Sequence, residues 1–280
     1  MRKWVTREGH PVVGMESTGA YGTGLRKALR AAAVETVWVN PMHTARFKDL
    51  VDNHPAKNDP KDAVVIAELV ARGMYQAPVE RTGGYETLFR HSQSLSRVLT
   101  EMTRLANRRH AVAHGLEVTA EEAEWMKEDL TRLGKREKAL KRALVKALDE
   151  VPYGGIWKRM RGLGAVTFAR ILGETGDLRG YRSVRQVVAL AGLSLTQAQS
   201  GQFAGRTRLT KRGRPEVRRQ LYLAALRMVK TGGIYRTRYE GALKRNPAKV
   251  AALVGLSRAL LRRLVAEARA FPAHAKEVTR

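Results

Sequence analysis

Two hydrophobic rhythms divide this chain: short apolar runs near the amino end, and helical or seven-residue periods through most of the rest. Residues 11–15 are apolar and short enough for a buried strand ending at Glu16. Ser17-Thr18-Gly19 then leads into a helical pattern from about Ala20 to Ala33, with Leu25, Leu29 and Ala32 on one face. A second short strand, Glu35 to Val39, is followed by the helix-start signal Asn40-Pro41 and a helix to about Val51. This β-α-β-α order, with nearly continuous apolar strands, predicts a sheet covered by helices on both faces. Glu16 then falls at the carboxyl end of its strand, where α/β sheets place their chemistry. His54 to Asn58 reads as a loop. Asp59-Pro60 opens a helix to about Arg72, with Val64, Val65, Ile66, Leu69 and Val70 as its buried side. Proline suits the first turn, and Asp59 and Asp62, three apart, share one face of it.

From about Glu86 to Val151 the pattern is helical and highly charged. Leu88, Leu95 and Met102 recur every seven residues, as do Met126, Leu133, Leu140 and Ala147, with Leu130 and Leu144 between them and Gly115 separating the two arms. Such a seam predicts an antiparallel helical hairpin or an intermolecular coiled coil; two ordinary amphipathic helices packed on their own domain are the plainer alternative. Pro152-Tyr153-Gly154-Gly155 marks a boundary. Beyond it come Arg161 to Thr167 opening a helix, Ser183 to Ala191, a loop rich in Ser, Gln and Gly to about Gly205, and helices starting near Pro215 and Pro247. The expected divisions are 1–85, 86–151 and 152–280, an α/β region followed by α regions.

Charge changes the picture most. Fifty-two Lys and Arg against 26 Asp and Glu give a net charge of +26, which predicts a polyanionic partner. No apolar run approaches a spanning helix, and the amino end lacks a signal peptide's apolar stretch. The absence of cysteine excludes disulfides, thiolate metal sites and thiol nucleophiles. These features predict a soluble, cytoplasmic protein with no membrane partner.

Within this basic chain, Glu16, Asp59 and Asp62 form an acidic constellation. Divalent cations bridging a scissile phosphate need oxygen ligands from different elements, and a strand end plus a helix start supply them. Alternatively, Glu16 caps the Ser-Thr turn, Asp59 caps a helix and Asp62 interacts with its dipole. The basic surroundings favour the metal reading, because neighbouring unpaired acids are costly unless a cation neutralises them. Gly162-Leu163-Gly164 before a helix is either a phosphate-holding turn or a plain tight turn. Residues 206–219 hold Arg206, Arg208, Lys211, Arg212, Arg214, Arg218 and Arg219 against the single acid Glu216, a candidate backbone-gripping arm as opposed to a merely solvated basic face. Read alone, Ser200 is an ordinary polar-loop serine.

Together these pieces resemble the DEDD-type insertion-sequence transposases, the insertion-sequence one-ten or Piv-type family. Val12 to Tyr21 is similar to the family's second acidic motif, and Val39-Asn40-Pro41 with Lys57-Asn58-Asp59-Pro60-Lys61-Asp62-Ala63 to the aspartates of its third. Gly162-Leu163-Gly164, Gly173-Glu174-Thr175-Gly176-Asp177, Ala191-Gly192-Leu193, Ser200-Gly201 and Thr210-Lys211-Arg212-Gly213 follow the order of its C-terminal domain. The resemblance implies an RNase H-like (RuvC-like) amino domain, a coiled-coil arm and a mainly helical C-terminal transposase domain. It also implies Ser200 as a nucleophile forming a phosphoserine link to DNA, and Mg²⁺ at Glu16, Asp59 and Asp62. Arg206, Arg208, Lys211 and Arg212, with Gly162 and Gly164, would hold nucleic acid. The implied partners are DNA, a bridge RNA that guides it, and further copies in a dimer or tetramer. The family's first aspartate lies on an opening strand well upstream of the position matched by Glu16, whereas only fifteen residues precede Glu16 here. The amino domain is therefore expected to be incomplete, lacking the first strands and one metal ligand, with exposed sheet edge and apolar surface. Two rivals stay open: a metal-dependent RuvC-like junction nuclease that needs no serine, and a catalytically inactive nucleic-acid-binding remnant.

Overall fold

Side-chain alternation organises the amino-terminal sheet. Strand β1 (Val5–Arg7) pairs antiparallel with β2 (His10–Glu16), and β2 pairs in parallel with β3 (Glu35–Val39), Glu16 opposite Val39. The computed structural model describes residues 5–7, 10–16, 22–51, 59–76, 81–196, 199–200, 203–204 and 208–271. Because alternate residues share a face, Val12, Gly14 and Glu16 form one row. Helix α1 (Gly22–Ala31) follows β2, and α2 (Pro41–Val51) and α3 (Asp59–Ala71) follow β3. Val65, Leu69 and Val70 of α3 bury against Val12, Val37 and Val39. The crossing is tight: a Cβ on Gly14 would lie 2.6 Å from Val70 Cγ2 and 2.8 Å from Ile66 Cγ2. From the opposite face, a Cβ on Gly22 would lie 3.1 Å from the Met15 methyl, so helices meet both faces of the sheet.

Three details differ from the sequence reading. A short strand, Val5–Arg7, precedes β2 and pairs with it, in a segment to which the sequence pattern assigned no element. Leu25 is 55% exposed, leaving α1 with a weaker buried face than its pattern suggested. Val64 is 63% exposed while Val65 is buried, because helix neighbours sit about 100° apart and Val64 falls outside the arc that Val65, Leu69 and Val70 turn to the sheet. Ser17 to Tyr21 and the expected loop at 54–58 lie outside the described residues.

The chain divides into two compact units, residues 1–80 and 81–280. The second is dominated by helices. α4 (Gly84–Ala113) and α5 (Ala120–Ala147) form an antiparallel hairpin within the chain, joined by residues 114–119. The turn carries Gly115 at φ 104°, where a side chain would be strained. A capping box then restarts the chain: Glu122 N–H donates to Thr119 Oγ1 and Thr119 N–H to Glu122 Oε2, both at 3.1 Å. Leu88, Leu95, Met126, Leu133, Leu144 and Ala147 of the seven-residue seam are buried.

Residues 86–151, read as an arm of their own, share a core at their base with the helices that follow. α6 (Ala165–Thr175) is the centre of this core, buried from Thr167 to Thr175. Its Gly173 allows backbone-to-backbone approach, since a Cβ there would lie 2.8 Å from Leu88 C and Phe89 N of α4. The segment Pro152 to Gly155, expected as a boundary, is anchored in the same core by Tyr153, which is fully buried and whose hydroxyl donates to Asp177 Oδ1 at 3.0 Å and accepts from Leu178 N–H at 2.8 Å. Around α6 pack α7 (Val184–Leu190), α8 (Pro215–Thr231), α9 (Ile234–Arg245) and α10 (Lys249–Ala270).

The stretch expected as a loop between α7 and α8 carries paired strands. β4 (Leu195–Thr196) pairs antiparallel with β7 (Arg208–Leu209), and β5 (Gln199–Ser200) with β6 (Phe203–Ala204). The pairings are nested in sequence, as in a β-hairpin. Strands only two residues long leave too little alternation to be visible in sequence.

Candidate functional site

In the first unit, Glu16 continues the row Val12, Gly14 on the face that α3 covers. It is a half-buried carboxylate at the carboxyl end of the central strand. On α3, Asp62 lies one turn before Ile66, whose side chain packs over Gly14, so strand and helix periods direct both carboxylates toward the α3 side of β2. Asp62 Oδ1 forms an ion pair with Lys48 Nζ of α2. Asp59 is placed by its backbone as the first residue of α3. Among the described residues no group of three or more His, Cys, Asp or Glu side chains could hold a metal ion. The donors nevertheless suit one chemically: carboxylate oxygens are hard ligands of the kind Mg²⁺ takes, and the Lys48 ammonium already balances Asp62 with a positive charge.

In the second unit, Ser200 ends β5 opposite Phe203. Its neighbour Gly201 and the basic residue Arg206 lie outside the described residues. Arg208, Lys211 and Arg212 are exposed, and no acidic partner meets them among the described residues. The remaining cations of the arm are engaged. Arg218 Nη1 donates to Ala191 O at 3.1 Å and Lys211 O at 3.4 Å, tying together the segments entering and leaving the hairpin. At that base Arg214 N–H donates to Leu190 O at 2.6 Å. Gly213 (φ 146°) packs so closely that a Cβ would lie 2.5 Å from Gly192 N and Leu190 O. Arg219 lies 3.9 Å from Glu216 on the next turn.

Beneath the hairpin base is a buried polar network that sequence reasoning missed. Glu174 of α6 is 4% exposed; its Oε2 accepts from Arg214 Nη1 at 3.0 Å and its Oε1 from Gln93 Nε2 of α4 at 2.6 Å. One turn earlier, Arg170 donates to Ser96 Oγ at 2.6 Å and pairs with Glu216 Oε1 at 2.6 Å, and Gln220 Nε2 donates to that same oxygen at 2.6 Å. Arg81 binds the carbonyls of Gly173 and Glu174 at 2.7 and 2.9 Å and lies over the Phe89 ring. Burial, then the neighbouring Arg214, pushes the Arg81 guanidinium down to about 10, against the opposing pull of Glu174. Charged residues in the otherwise apolar run Ala165 to Thr175 were the available signal, since such groups stay buried only when paired.

Gly162 sits at φ 88°, and a Cβ there would lie 2.9 Å from Met228 Cα. The turn is thus packed on α8, which gives its first glycine a structural reason. Gly164 opens α6 beside the Arg227 guanidinium, which would approach a Cβ there to 3.3 Å and donates to Thr167 Oγ1. No helix among the described residues is long and apolar enough to cross a membrane.

A basic chain with a strand-end carboxylate in one unit and a cation-flanked serine hairpin in the other has the make-up of an enzyme that acts on DNA, and known families say which kind. Residues 1–116 match the DEDD-type IS110 transposase family, and residues 156–240 match the family described as Transposase IS116/IS110/IS902. The chain belongs to the IS110 family of transposases. No curated protein matches it.

Proposed function

We propose that this transposase cuts and rejoins DNA through a serine-phosphate intermediate at Ser200, assisted by an acidic site at Glu16, Asp59 and Asp62 in an RNase H-like amino domain. The observation that carries the reading is the position of Ser200 at the end of β5, with exposed Arg208, Lys211 and Arg212 following on the returning segment. Cations there would hold the phosphates on either side of the reacting one. In the proposed step, Ser200 Oγ bonds to phosphorus, the bond from phosphorus to one sugar oxygen breaks, and the serine proton ends on that departing oxygen. A sugar hydroxyl of another strand then reverses the step, so the phosphodiester count is conserved. No water is consumed.

Glu16, Asp59 and Asp62 would hold Mg²⁺, which when bound neutralises charge on the phosphate. Lys48 would release Asp62 on loading. Guidance by RNA, assembly into a dimer or tetramer, contact of Gly162 and Gly164 with nucleic acid, and a cytoplasmic location complete the proposal. Arg206 belongs to the same proposed contact set.

The test is strand exchange on labelled DNA junctions with Mg²⁺ and cognate RNA. Ser200→Ala is expected to abolish exchange, and Asp59→Asn and Asp62→Asn to reduce it by at least about 100-fold. Full activity of Ser200→Ala with loss in the aspartate variants would instead establish a metal-dependent nuclease. Salt-sensitive binding that persists in EDTA, with no cleavage under any metal, would establish an inactive remnant.

A further inference from the structure

We propose that the open groove between α9 and α10 is a second DNA-backbone site, apart from the serine hairpin. This inference rests on the DNA-transposase reading and extends it. The groove has a volume of about 630 Å³, with Arg238 and Arg245 on its walls and Gly241 and Gly255 among its lining residues. A Cβ added at either glycine would meet nothing within 4 Å. Glycine inside a helix is destabilising relative to alanine, and no packing among the described residues accounts for that cost here. A ligand that approaches the helix backbones closely does.

Charge identifies the ligand. Residues 230–263 contain nine Lys and Arg and one acid, Glu240. That acid is committed to Arg236 at 3.0 Å. Arg238, Lys244, Arg245 and Lys249 are exposed and meet no acidic partner among the described residues. Unbalanced cations around a smooth, glycine-lined trough suit a sugar-phosphate backbone, which brings one negative charge per nucleotide and needs no shaped side-chain pocket. Among polyanions we commit to duplex DNA, the substrate class of the family.

The experiment measures binding of a fluorescent DNA duplex to the full chain across a KCl series. Arg238→Ala/Arg245→Ala is expected to weaken binding about tenfold or more near 0.1 M KCl, and to reduce the slope of log Kd against log [KCl] by about two. Gly255→Leu is expected to weaken binding while leaving the melting temperature unlowered, since the added side chain enters open space and favours helix. Arg208→Ala/Lys211→Ala/Arg212→Ala, measured in parallel, probes the hairpin. The groove proposal is overturned if both groove variants fold and keep the wild-type Kd and slope while the hairpin variant loses affinity. It is equally overturned if they lose a structured RNA or an acidic protein but retain the duplex. A wild-type chain without salt-dependent duplex binding would remove the underlying DNA reading, and the groove with it.

Discussion

The two units solve the burial problem unequally. Residues 81–280 gather their helices around α6 in one continuous core in which Phe168, Ile171 and Leu172 are inaccessible to solvent. Among the described residues of 1–80, six apolar side chains form the buried cluster, while Leu50 and Val64 stand 80% and 63% exposed. Small cores bury a smaller share of their chain and are correspondingly marginal. The proposed metal ligands therefore sit on the less self-sufficient unit and the proposed nucleophile on the sturdier one. In the first unit, occupancy by a cation or cover by a partner would add stability by mass action.

Core truncation separates the units most sharply. Phe168→Ala should cost about 3–5 kcal/mol and Leu69→Ala about 2–5 kcal/mol, each shifting only its own unit's transition in urea denaturation followed by site-specific probes. One shared transition moved equally by both would break the comparison. Next, Glu174→Ala should cost about 2–4 kcal/mol, because it strands Arg214 and Gln93 beneath the hairpin base. The same variant should raise hydrogen exchange at Thr210 N–H, which donates to Ser194 O, more than at α10. Gly14→Ala should cost about 1–3 kcal/mol by pushing α3 off β2, visible as a lower midpoint of the first unit alone.

The smallest effect concerns pH. Burial disfavours ionisation of Asp177, but hydrogen bonds from the Arg179 side chain and backbone and from Tyr153 outweigh it and hold the carboxyl below its ordinary value. A depressed native pKa means the unfolded chain binds the proton more readily. The stabilisation is thus complete above the ordinary carboxylate pKa of about 3.9 and is lost as pH falls through the native value. Asp177→Asn should flatten that acidic limb of stability against pH in the second unit, and leave the first unit's profile unchanged.

Much of this arrangement was legible in sequence because period and punctuation agree. The strands at 10–16 and 35–39, the helix opened by Asp59-Pro60, and the seven-residue seam of α4 and α5 all follow from local pattern. What stayed hidden depends on partners distant along the chain. Nothing near Glu174 announces Gln93 or Arg214. Tyr153 reads as part of a turn until Asp177 and Leu178 meet its hydroxyl. The cations of residues 206–219 look equivalent in sequence, yet Arg214 and Arg218 are committed to holding the hairpin, whereas Arg208, Lys211 and Arg212 are exposed and meet no acidic partner among the described residues. The acidic constellation was legible as residue types at a strand end and a helix start, whereas the Lys48 ion pair on Asp62 required the packing of α2 beside α3.

The central claim is that Ser200 carries the chemistry. The most direct test is denaturing electrophoresis of the full chain after incubation with labelled DNA junctions, Mg²⁺ and cognate RNA, scored for protein covalently attached to DNA. The account predicts an adduct that disappears in Ser200→Ala while duplex binding remains. Tight binding with no adduct in the wild-type chain, or an adduct that survives Ser200→Ala, would contradict it.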